Sequence, residues 1–512
     1  MTAVVAGCLT VVTVAFCRRY LPLPYPSDQI NYLDAAVDFP HPSPGAPVHQ
    51  FTRFGLTLPL RGLIEVFGYS QAAYYALPLV TVLALVVGVY LVGALLYARS
   101  VGVAAAAVTA ANNVVFYDVM QPLPDLLATA LTCWAVALAI AVRQERRLVC
   151  ATTRRRLVVL VGIGLLLGWS YLTREFIVFS WPVVALLLVR AVRARELLAV
   201  AVPLAATGVA ELALCALTYG DPFARLAAVT GHGSGPIPEE LAATYQNMPR
   251  SWYLNRLLVA MQSVPEGEWL LAAFAATVIG GLVAWRRMGL LLLWLAVTYA
   301  PLVLLGGFLD PSAPKLRLFI MRYWFPTFPA FVLGGCAAAW LATRWAVRRV
   351  ASTRWRVASR GNLVAGAVVL VLAALTLQAA APSWGYSRGY HVVGTKPLSA
   401  FREWLADHRD EVRVLWSDGR TVRLLPIYAH ERFGQPVWSG QLRSLSVNGP
   451  TPAPGDHVLL YSTQGTGLPC DHCAAAAADV LGDPVRVPPH WREVFATYDR
   501  AVLVYEVGTP AS

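Results

Sequence analysis

Residues 70–97 read SQAAYYALPLVTVLALVVGVYLVGALLY, and these 28 positions contain no Asp, Glu, Lys or Arg. An α-helix rises about 1.5 Å per residue, so roughly 20 apolar residues cross the hydrocarbon core of a bilayer. Backbone N–H and C=O groups find no water in that core, so a segment that crosses it must be helical. The stretch therefore predicts a transmembrane helix.

Apolar stretches of this kind recur along the chain. Of its 512 residues, 57% are hydrophobic and 14% are charged, whereas soluble domains carry about 25% charged residues. The apolar stretch at residues 2–17 is followed by Arg18 and Arg19 rather than by a small-residue cleavage site. This favours an uncleaved anchor over a signal peptide. We predict a polytopic α-helical membrane protein with about eleven transmembrane helices, at residues 2–17, 70–97, 101–117, 126–142, 157–172, 176–189, 197–218, 269–285, 288–307, 323–343 and 362–382.

The distribution of charge predicts the orientation of the chain. With the N-terminus placed inside, the inner loops hold 18 arginines in 43 residues. The outer loops then hold 11 basic and 13 acidic residues in 128 positions. Because basic residues favour cytoplasmic loops, we predict a multi-pass protein of the plasma membrane with a cytoplasmic N-terminus. The net charge of +12 is thereby explained by topology, and no nucleic acid partner is expected.

Two loops and a tail lie on the predicted outer side. Residues 18–69 and 219–268 are the large outer loops of a membrane module that covers residues 1–382. Residues 383–512 are predicted to form an extracytoplasmic domain. The alternation of helix-like and strand-like segments predicts a small α/β domain there. The helix-like segments are 398–408 and 421–433, and the strand-like segments are 412–416, 457–462 and 501–507.

Polar residues cluster at the predicted outer ends of the spans. Ionisable residues at membrane depth are costly and are by default a functional hypothesis. The candidates for an outward-facing site are Asp28, Asp34, His49, Arg53, Asp125, Arg174, Glu175, His232, Arg322 and Tyr323.

Each candidate also has a structural interpretation. Asp28 suits a general base or a helix N-cap, and Asp125 is open to the same capping interpretation. Arg53 and Arg322 could bind phosphate through paired hydrogen bonds or extend to the membrane interface. Arg174 and its neighbour Glu175 could simply pair with each other in a short turn. Glu211, an acid within a predicted span, could line a cavity or bond a neighbouring helix.

Motifs for nucleotide-driven chemistry do not occur in the sequence: there is no Walker A loop, GxGxxG or HExxH. An enzyme on the outer side needs a substrate that is already activated in the membrane, and a polyprenyl-phosphate sugar meets that need. Cys470 and Cys473 form a CxxC without a second ligand pair, so a local disulfide is favoured over a redox or metal half-site.

Several short motifs occur in an order that resembles a known family. An acid follows the first span (Asp28), and an Arg-Phe-Gly-Leu stretch with a following proline begins at Arg53. Leu-Pro-Asp opens the fourth span (Asp125), and Leu-Thr-Arg-Glu follows the fifth (Arg174). A late Arg-Tyr with spaced prolines begins at Arg322. The chain resembles integral-membrane glycosyltransferases of the GT-C superfamily, in particular bacterial protein O-mannosyltransferases and aminoarabinose transferases.

The resemblance implies a reaction and a set of roles. It implies an inverting glycosyltransferase that uses a polyprenyl-phosphate sugar, with Asp28 as the catalytic base and Asp34 as its rival. It implies that Arg53, Arg322 and Arg174 bind the donor phosphate, with the other candidates lining the site.

Because Gln29 follows Asp28 where many members have a second acid, a divalent metal is not favoured. Membrane lipid is an expected partner, and the acceptor is left open among protein, glycan, lipid and cell-wall polymer. A transporter or flippase of lipid-linked sugars is the alternative.

Overall fold

The computed structural model describes residues 2–20, 28–40, 49–116, 118–231, 242–350, 357–384, 400–428, 437–461, 477–482 and 485–510. The chain divides into two compact units. The first, which we name the helical unit, comprises Met1–Arg19, Pro40–Leu58 and Pro78–Pro382. The second, the sheet unit, comprises Tyr20–Phe39, Pro59–Leu77 and Ser383–Ser512. The sheet unit thus contains the tail, two segments of the first predicted outer loop and the start of the predicted span 70–97. A domain boundary at residue 383 stays a prediction.

Long apolar helices are the dominant elements. Within the described ranges, eight helices are long and apolar enough to cross a membrane, and three apolar helices are shorter. All eleven overlap the predicted spans, so the predicted polytopic helical class is confirmed. The long helices are Thr2–Arg19, Gln71–Leu96, Pro124–Arg143, Thr153–Thr173, Ala194–Tyr219, Trp285–Phe308, Met321–Arg349 and Gly361–Trp384. The shorter ones are Arg99–Ala111, Glu175–Val189 and Gly267–Val283.

Further helices connect or flank these elements. They are Asp28–Val37, Phe54–Phe67, Asn113–Phe116, Arg147–Cys150, Ala224–Thr230, Arg250–Gln262 and Gly419–Tyr428. Two of the apolar helices open with a tighter 3₁₀ segment, Glu175–Ser180 and Met321–Thr327. The first segment carries the candidate Glu175, and the second carries Arg322 and Tyr323, so these three lie before the regular α-helix begins.

Gly55 permits a close approach that the site depends on. A Cβ atom built on Gly55 would lie 2.3 Å from Thr173 Oγ1 and 2.5 Å from the Thr173 backbone nitrogen. Trp169 Nε1 also donates a hydrogen bond to the Gly55 carbonyl at 3.0 Å. Glycine therefore lets the start of helix Phe54–Phe67 pack directly against the end of helix Thr153–Thr173, and this places Arg53 near Arg174 and Glu175.

Gly307 breaks the helix that begins at Trp285. The turn Leu304–Phe308 is π-helical, and Gly307 has φ 129°, a backbone conformation that L side chains rarely adopt. A Cβ atom there would also lie 2.3 Å from the Tyr253 ring. Beyond the break the chain folds back, so that the Lys315 N–H donates to the Leu305 carbonyl at 2.8 Å.

The tail folds around a five-stranded sheet in the order β2-β1-β3-β5-β4. The strands are β1 Val414–Ser417, β2 Gln441–Ser444, β3 His457–Tyr461, β4 Trp491–Ala496 and β5 Val502–Val507. β1 pairs in parallel with β2 and β3, whereas β5 pairs antiparallel with β3 and β4. Leu415, Leu459 and Val504 are buried on one side together with Phe401 and with Ile30 of helix Asp28–Val37. The predicted α/β character of the tail is confirmed.

The sequence located three of the five strands. β1, β3 and β5 match the predicted segments 412–416, 457–462 and 501–507, whereas β2 and β4 were not predicted. The predicted helix at 421–433 is observed as Gly419–Tyr428, and residues 429–436 lie outside the described ranges. Cys470 and Cys473 also lie outside them, so the interpretation of the CxxC motif stays a prediction.

Candidate functional site

A cavity of about 560 Å³ lies in the helical unit and collects several of the predicted site residues. Its charged and polar lining is mostly basic, and its other walls are apolar or aromatic. The polar lining is His49, Arg53, Arg174, Glu175, Thr230 and Lys315, and the remaining lining is Phe176, Val178, Phe179, Val229, Leu305, Leu316 and Tyr323. The cavity can therefore hold a ligand that has both an anionic group and an apolar part.

Arg174 contacts two aromatic rings and a carboxylate at the wall of this cavity. Its guanidinium carbon lies 4.6 Å from the centre of the Phe176 ring and 4.8 Å from that of Tyr323. Its Nε lies 3.0 Å from Asp125 Oδ1, and its side chain is only 4% exposed. Cation–π contacts are strongest when water is excluded. The two rings and the carboxylate together fix the plane of the guanidinium, which lies over the faces of Phe176 and Tyr323.

Asp125 is the anchor of two arginines. It lies in the first turn of helix Pro124–Arg143 and is completely buried. Besides Arg174 it faces Arg322, whose Nε is 3.6 Å from Asp125 Oδ2. The capping interpretation is wrong for this residue, because the N-cap position is Leu123 and the helix start has no side-chain cap. Asp125 instead provides the negative charge that allows two arginines to be placed at the same end of the helical unit.

Glu175 joins two further arginines. Its carboxylate lies 3.3 Å from Arg53 and 3.5 Å from Arg225. Arg225 in turn pairs with Glu211 at 3.1 Å. A simple pair between Arg174 and Glu175 was the structural interpretation of these neighbours, and it is wrong because the two side chains take different ion-pair partners. Glu211 bonds a neighbouring element and also lines a cavity, so both of its interpretations are confirmed.

Positive charge is in excess around the cavity. Three cationic side chains, those of Arg53, Arg174 and Lys315, line it together with one carboxylate, that of Glu175. Arginine matches the geometry of phosphate with its planar fork of donors. The site is therefore suited to an anion such as a phosphate or a carboxylate.

Asp28 and Asp34 belong to the sheet unit. Both lie on helix Asp28–Val37, which Asp28 opens. Asp34 Oδ2 is 2.5 Å from Arg423 Nη1, and the Tyr69 hydroxyl donates to the Arg423 carbonyl at 2.9 Å. Burial raises the pKa of Asp34 from 3.8 to about 6, and the nearby Asp38 adds to the rise while Arg423 opposes it. Asp34 thus takes part in an ion pair with Arg423, and its role as a rival base stays a prediction.

The raised pKa of Asp34 makes the sheet unit less stable as pH rises. Because the folded pKa of about 6 exceeds the unfolded value, the folded state binds the proton more tightly between pH 4 and 6. Ionisation of this partly exposed group then lowers the free energy of unfolding by about 1 kcal/mol, because solvent screens its charge. We expect the thermal unfolding midpoint of the full chain in detergent to be lower at pH 7 than at pH 4.5. Asp34→Asn should remove most of that difference. Asp410→Asn, at an exposed position of the same unit, is the control, and an unchanged pH dependence in Asp34→Asn would contradict the expectation.

Two basic residues of the site were missed from the sequence, and one candidate is not described. Lys315 lines the cavity, and Arg225 bridges Glu175 and Glu211. Both lie in predicted outer loops, so the sidedness of the charges was the signal that could have included them. His232 lies outside the described ranges. Among the residues that the structure describes, no group of three or more His, Cys, Asp or Glu side chains could hold a metal ion.

Comparison with known proteins identifies the fold. No protein-family model and no curated protein matches the chain. ArnT from Cupriavidus metallidurans bound to undecaprenyl phosphate is similar with a TM-score of 0.56 at 13% identity, covering 100% of this chain and 98% of that chain. The apo state of ArnT gives a TM-score of 0.54 at 12% identity, covering 99% and 100%. The Archaeoglobus fulgidus oligosaccharyltransferase in the apo form gives only 0.44 at 12% identity, covering 86% of this chain and 64% of that chain.

The likeness to ArnT extends over nearly the whole of both chains. At this identity it establishes a common fold and leaves activity open. The prediction of a GT-C-like membrane fold with a small α/β domain is therefore confirmed at the level of fold.

Proposed function

We propose that this chain is a membrane glycosyltransferase that moves a sugar from a polyprenyl-phosphate donor to an acceptor hydroxyl on the outer face of the membrane. The observation that carries the proposal is the cavity in which Arg53, Arg174 and Lys315 face apolar walls. A polyprenyl phosphate joins one anionic group to a long apolar chain, and that combination is what the lining accommodates. The common fold with an ArnT structure that holds undecaprenyl phosphate supports the same donor class.

The proposed reaction is a single displacement. The acceptor oxygen attacks the anomeric carbon, the bond from that carbon to the phosphate oxygen breaks, and the polyprenyl phosphate leaves with the electron pair. Negative charge grows on the phosphate as that bond breaks, and arginines fixed in advance stabilise it without having to reorganise. Arg174 is the principal candidate because its guanidinium is already held between two rings. Arg53 and Arg322 are the supporting candidates.

The acceptor proton needs a base, and we propose Asp28 for this role. The proposal rests on the resemblance of Asp28 to the first-loop acid of the GT-C enzymes. Asp34, on the same helix, is less suitable because its carboxylate is paired with Arg423. We also propose that the N-terminus is cytoplasmic and the tail extracytoplasmic, because the arginine-rich loops then lie inside.

Sugar transfer in membranes tests the function. Membranes that contain the full chain are incubated with a panel of radiolabelled polyprenyl-phosphate sugars, and the label is followed into lipid, glycan and protein fractions. We expect at least one donor to pass its label to an acceptor fraction. Movement of intact donor across the membrane without transfer would instead support the transporter or flippase alternative.

A substitution at Arg174 tests whether donor binding needs the planar guanidinium or only its positive charge. Arg174→Lys keeps the positive charge but loses the planar group that contacts the Phe176 and Tyr323 rings. We expect kcat/KM for the donor to fall about 30-fold, from about 2 kcal/mol for a desolvated cation–π contact and its fixed donors. Arg156→Lys, which alters the ion pair of Arg156 with Glu196, is the matched control and should leave transfer unchanged. Equal activity of both variants would remove Arg174 from donor binding.

A further inference from the structure

A second cavity of about 330 Å³ lies next to the first in the helical unit. Glu175 and Val229 line both cavities, so a single layer of side chains separates them. The second cavity is otherwise lined by residues of the helices that end at Thr173 and Tyr219 and by the segment around Arg225. None of the roles assigned above uses this second space.

The polar lining of the second cavity differs from that of the first. Arg225 is buried, and its guanidinium donates to the Tyr171 carbonyl at 2.6 Å while lying 4.6 Å above the Tyr171 ring. Two carboxylates, those of Glu175 and Glu211, face this one cation. Positive charge is therefore not in excess, and a phosphate is not favoured. Carboxylate oxygens accept strong hydrogen bonds from hydroxyl groups, so Glu175 and Glu211 form a lining suited to a neutral sugar.

The rim of the second cavity is apolar and exposed. Leu212 is 40% exposed, Phe223 58% and Leu226 61%. Leu212 lies on helix Ala194–Tyr219, one of the helices long and apolar enough to cross a membrane, and only 11% of its apolar window is buried. Exposed apolar side chains on such a helix are typical of contact with lipid chains. A ligand that enters here can keep a polar headgroup in the cavity and an alkyl chain along the rim.

We propose that the second cavity binds the sugar headgroup of a neutral glycolipid, and that this glycolipid is the acceptor. The inference rests on the proposed function and narrows its acceptor class from protein, glycan or lipid to a lipid with an uncharged sugar headgroup. Because Glu175 and Val229 belong to both cavities, a headgroup in the second cavity lies beside a donor in the first. The acceptor hydroxyl then forms the new glycosidic bond, and its proton passes to the base.

Gly208 allows the second cavity to be filled without disturbing the backbone. It lines the cavity, and a Cβ atom built on it meets nothing within 4 Å. Gly208→Leu therefore places a side chain in the space proposed for the headgroup. Gly162→Leu is the matched control, because Gly162 is also helical and also leaves room for a Cβ atom.

The test measures binding without requiring activity. The full chain in lipid nanodiscs is labelled with an alkyl maltoside that carries a diazirine in its chain, and the labelled positions are mapped by mass spectrometry. We expect labelling within residues 208–229, reduced about 10-fold in Gly208→Leu, which corresponds to about 1.4 kcal/mol, and unchanged in Gly162→Leu. We also expect excess unlabelled alkyl maltoside to compete, and alkylphosphocholine of equal chain length not to compete.

The outcomes separate this inference from the proposed function. Equal labelling of the two leucine variants, or equal competition by alkylphosphocholine, would overturn the glycolipid site, because either result indicates general contact with lipid chains. Binding of undecaprenyl phosphate is measured in the same nanodiscs. Loss of maltoside labelling in Gly208→Leu with undecaprenyl phosphate binding retained supports a distinct acceptor site. Maltoside labelling as expected in a wild-type chain that neither binds undecaprenyl phosphate nor transfers sugar would contradict the proposed function and leave the binding site in place.

Discussion

Asp28→Asn is expected to reduce sugar transfer by about 10²–10⁴-fold, the range that a positioned general base contributes. Asparagine has nearly the same shape as aspartate and is equally favoured at the start of a helix, so helix Asp28–Val37 should still form. What the variant lacks is the carboxylate that we propose as the base for the acceptor proton. The measurement is the initial rate of label transfer in membranes, normalised to the amount of folded protein, with the best donor of the panel.

Asp34→Asn is the matched control for this experiment. It makes the same chemical change six positions further along the same helix, at a carboxylate that is paired with Arg423. We expect its transfer rate at pH 7 to stay within a few-fold of wild type. If transfer is instead lost in Asp34→Asn and retained in Asp28→Asn, Asp34 is the base. Equal retention in both variants would show that neither carboxylate accepts the proton.

Asp125→Ala should markedly lower the free energy of unfolding of the chain. Asp125 is fully buried, and its carboxylate faces Arg174 and Arg322. Its removal leaves a buried arginine without a counter-charge, and breaking a buried ion pair in this way costs about 3–5 kcal/mol. We expect a marked fall in the thermal unfolding midpoint of the full chain in detergent. Asp125→Asn should lower the midpoint less, because the amide oxygen keeps a partial negative charge facing Arg174.

Glu268→Ala provides the reference for that measurement. Glu268 is an exposed acid in the first turn of helix Gly267–Val283, so it shares the position of Asp125 in a helix but not its burial. We expect no measurable shift in the unfolding midpoint for this variant. A similar small effect of Asp125→Ala would mean that the two arginines are solvated well enough to dispense with the buried carboxylate.

The spans could be predicted from the sequence because hydropathy is a local property. Each of the apolar helices is encoded by its own residues, and the lengths of these helices follow from the thickness of the bilayer. The sidedness of arginine likewise needs only a count along the chain. The same reasoning identified Arg53, Arg174, Glu175 and Tyr323 as candidates for one site. The structure places all four around one cavity.

The ion pairs could not be predicted, because their partners are distant in sequence. Arg53 and Glu175 are 122 positions apart, and Arg225 and Glu175 are 50 apart. Only the folded arrangement of helices shows that neighbours such as Arg174 and Glu175 have different partners. Strand β2 was missed for a different reason: its sequence Gln-Leu-Arg-Ser is mostly exposed at a sheet edge, so it shows little of the burial pattern that identifies a strand.

Gly307 imposes an evolutionary constraint that hydropathy cannot reveal. In the apolar run around it, leucine, isoleucine and valine can replace one another with little effect on membrane insertion. At position 307, by contrast, both the left-handed backbone and the ring of Tyr253 exclude any side chain. The turn of the chain that brings Lys315 beside Leu305 thus depends on glycine at position 307. A lineage could lose this part of the cavity by a single nucleotide change that leaves the predicted topology untouched.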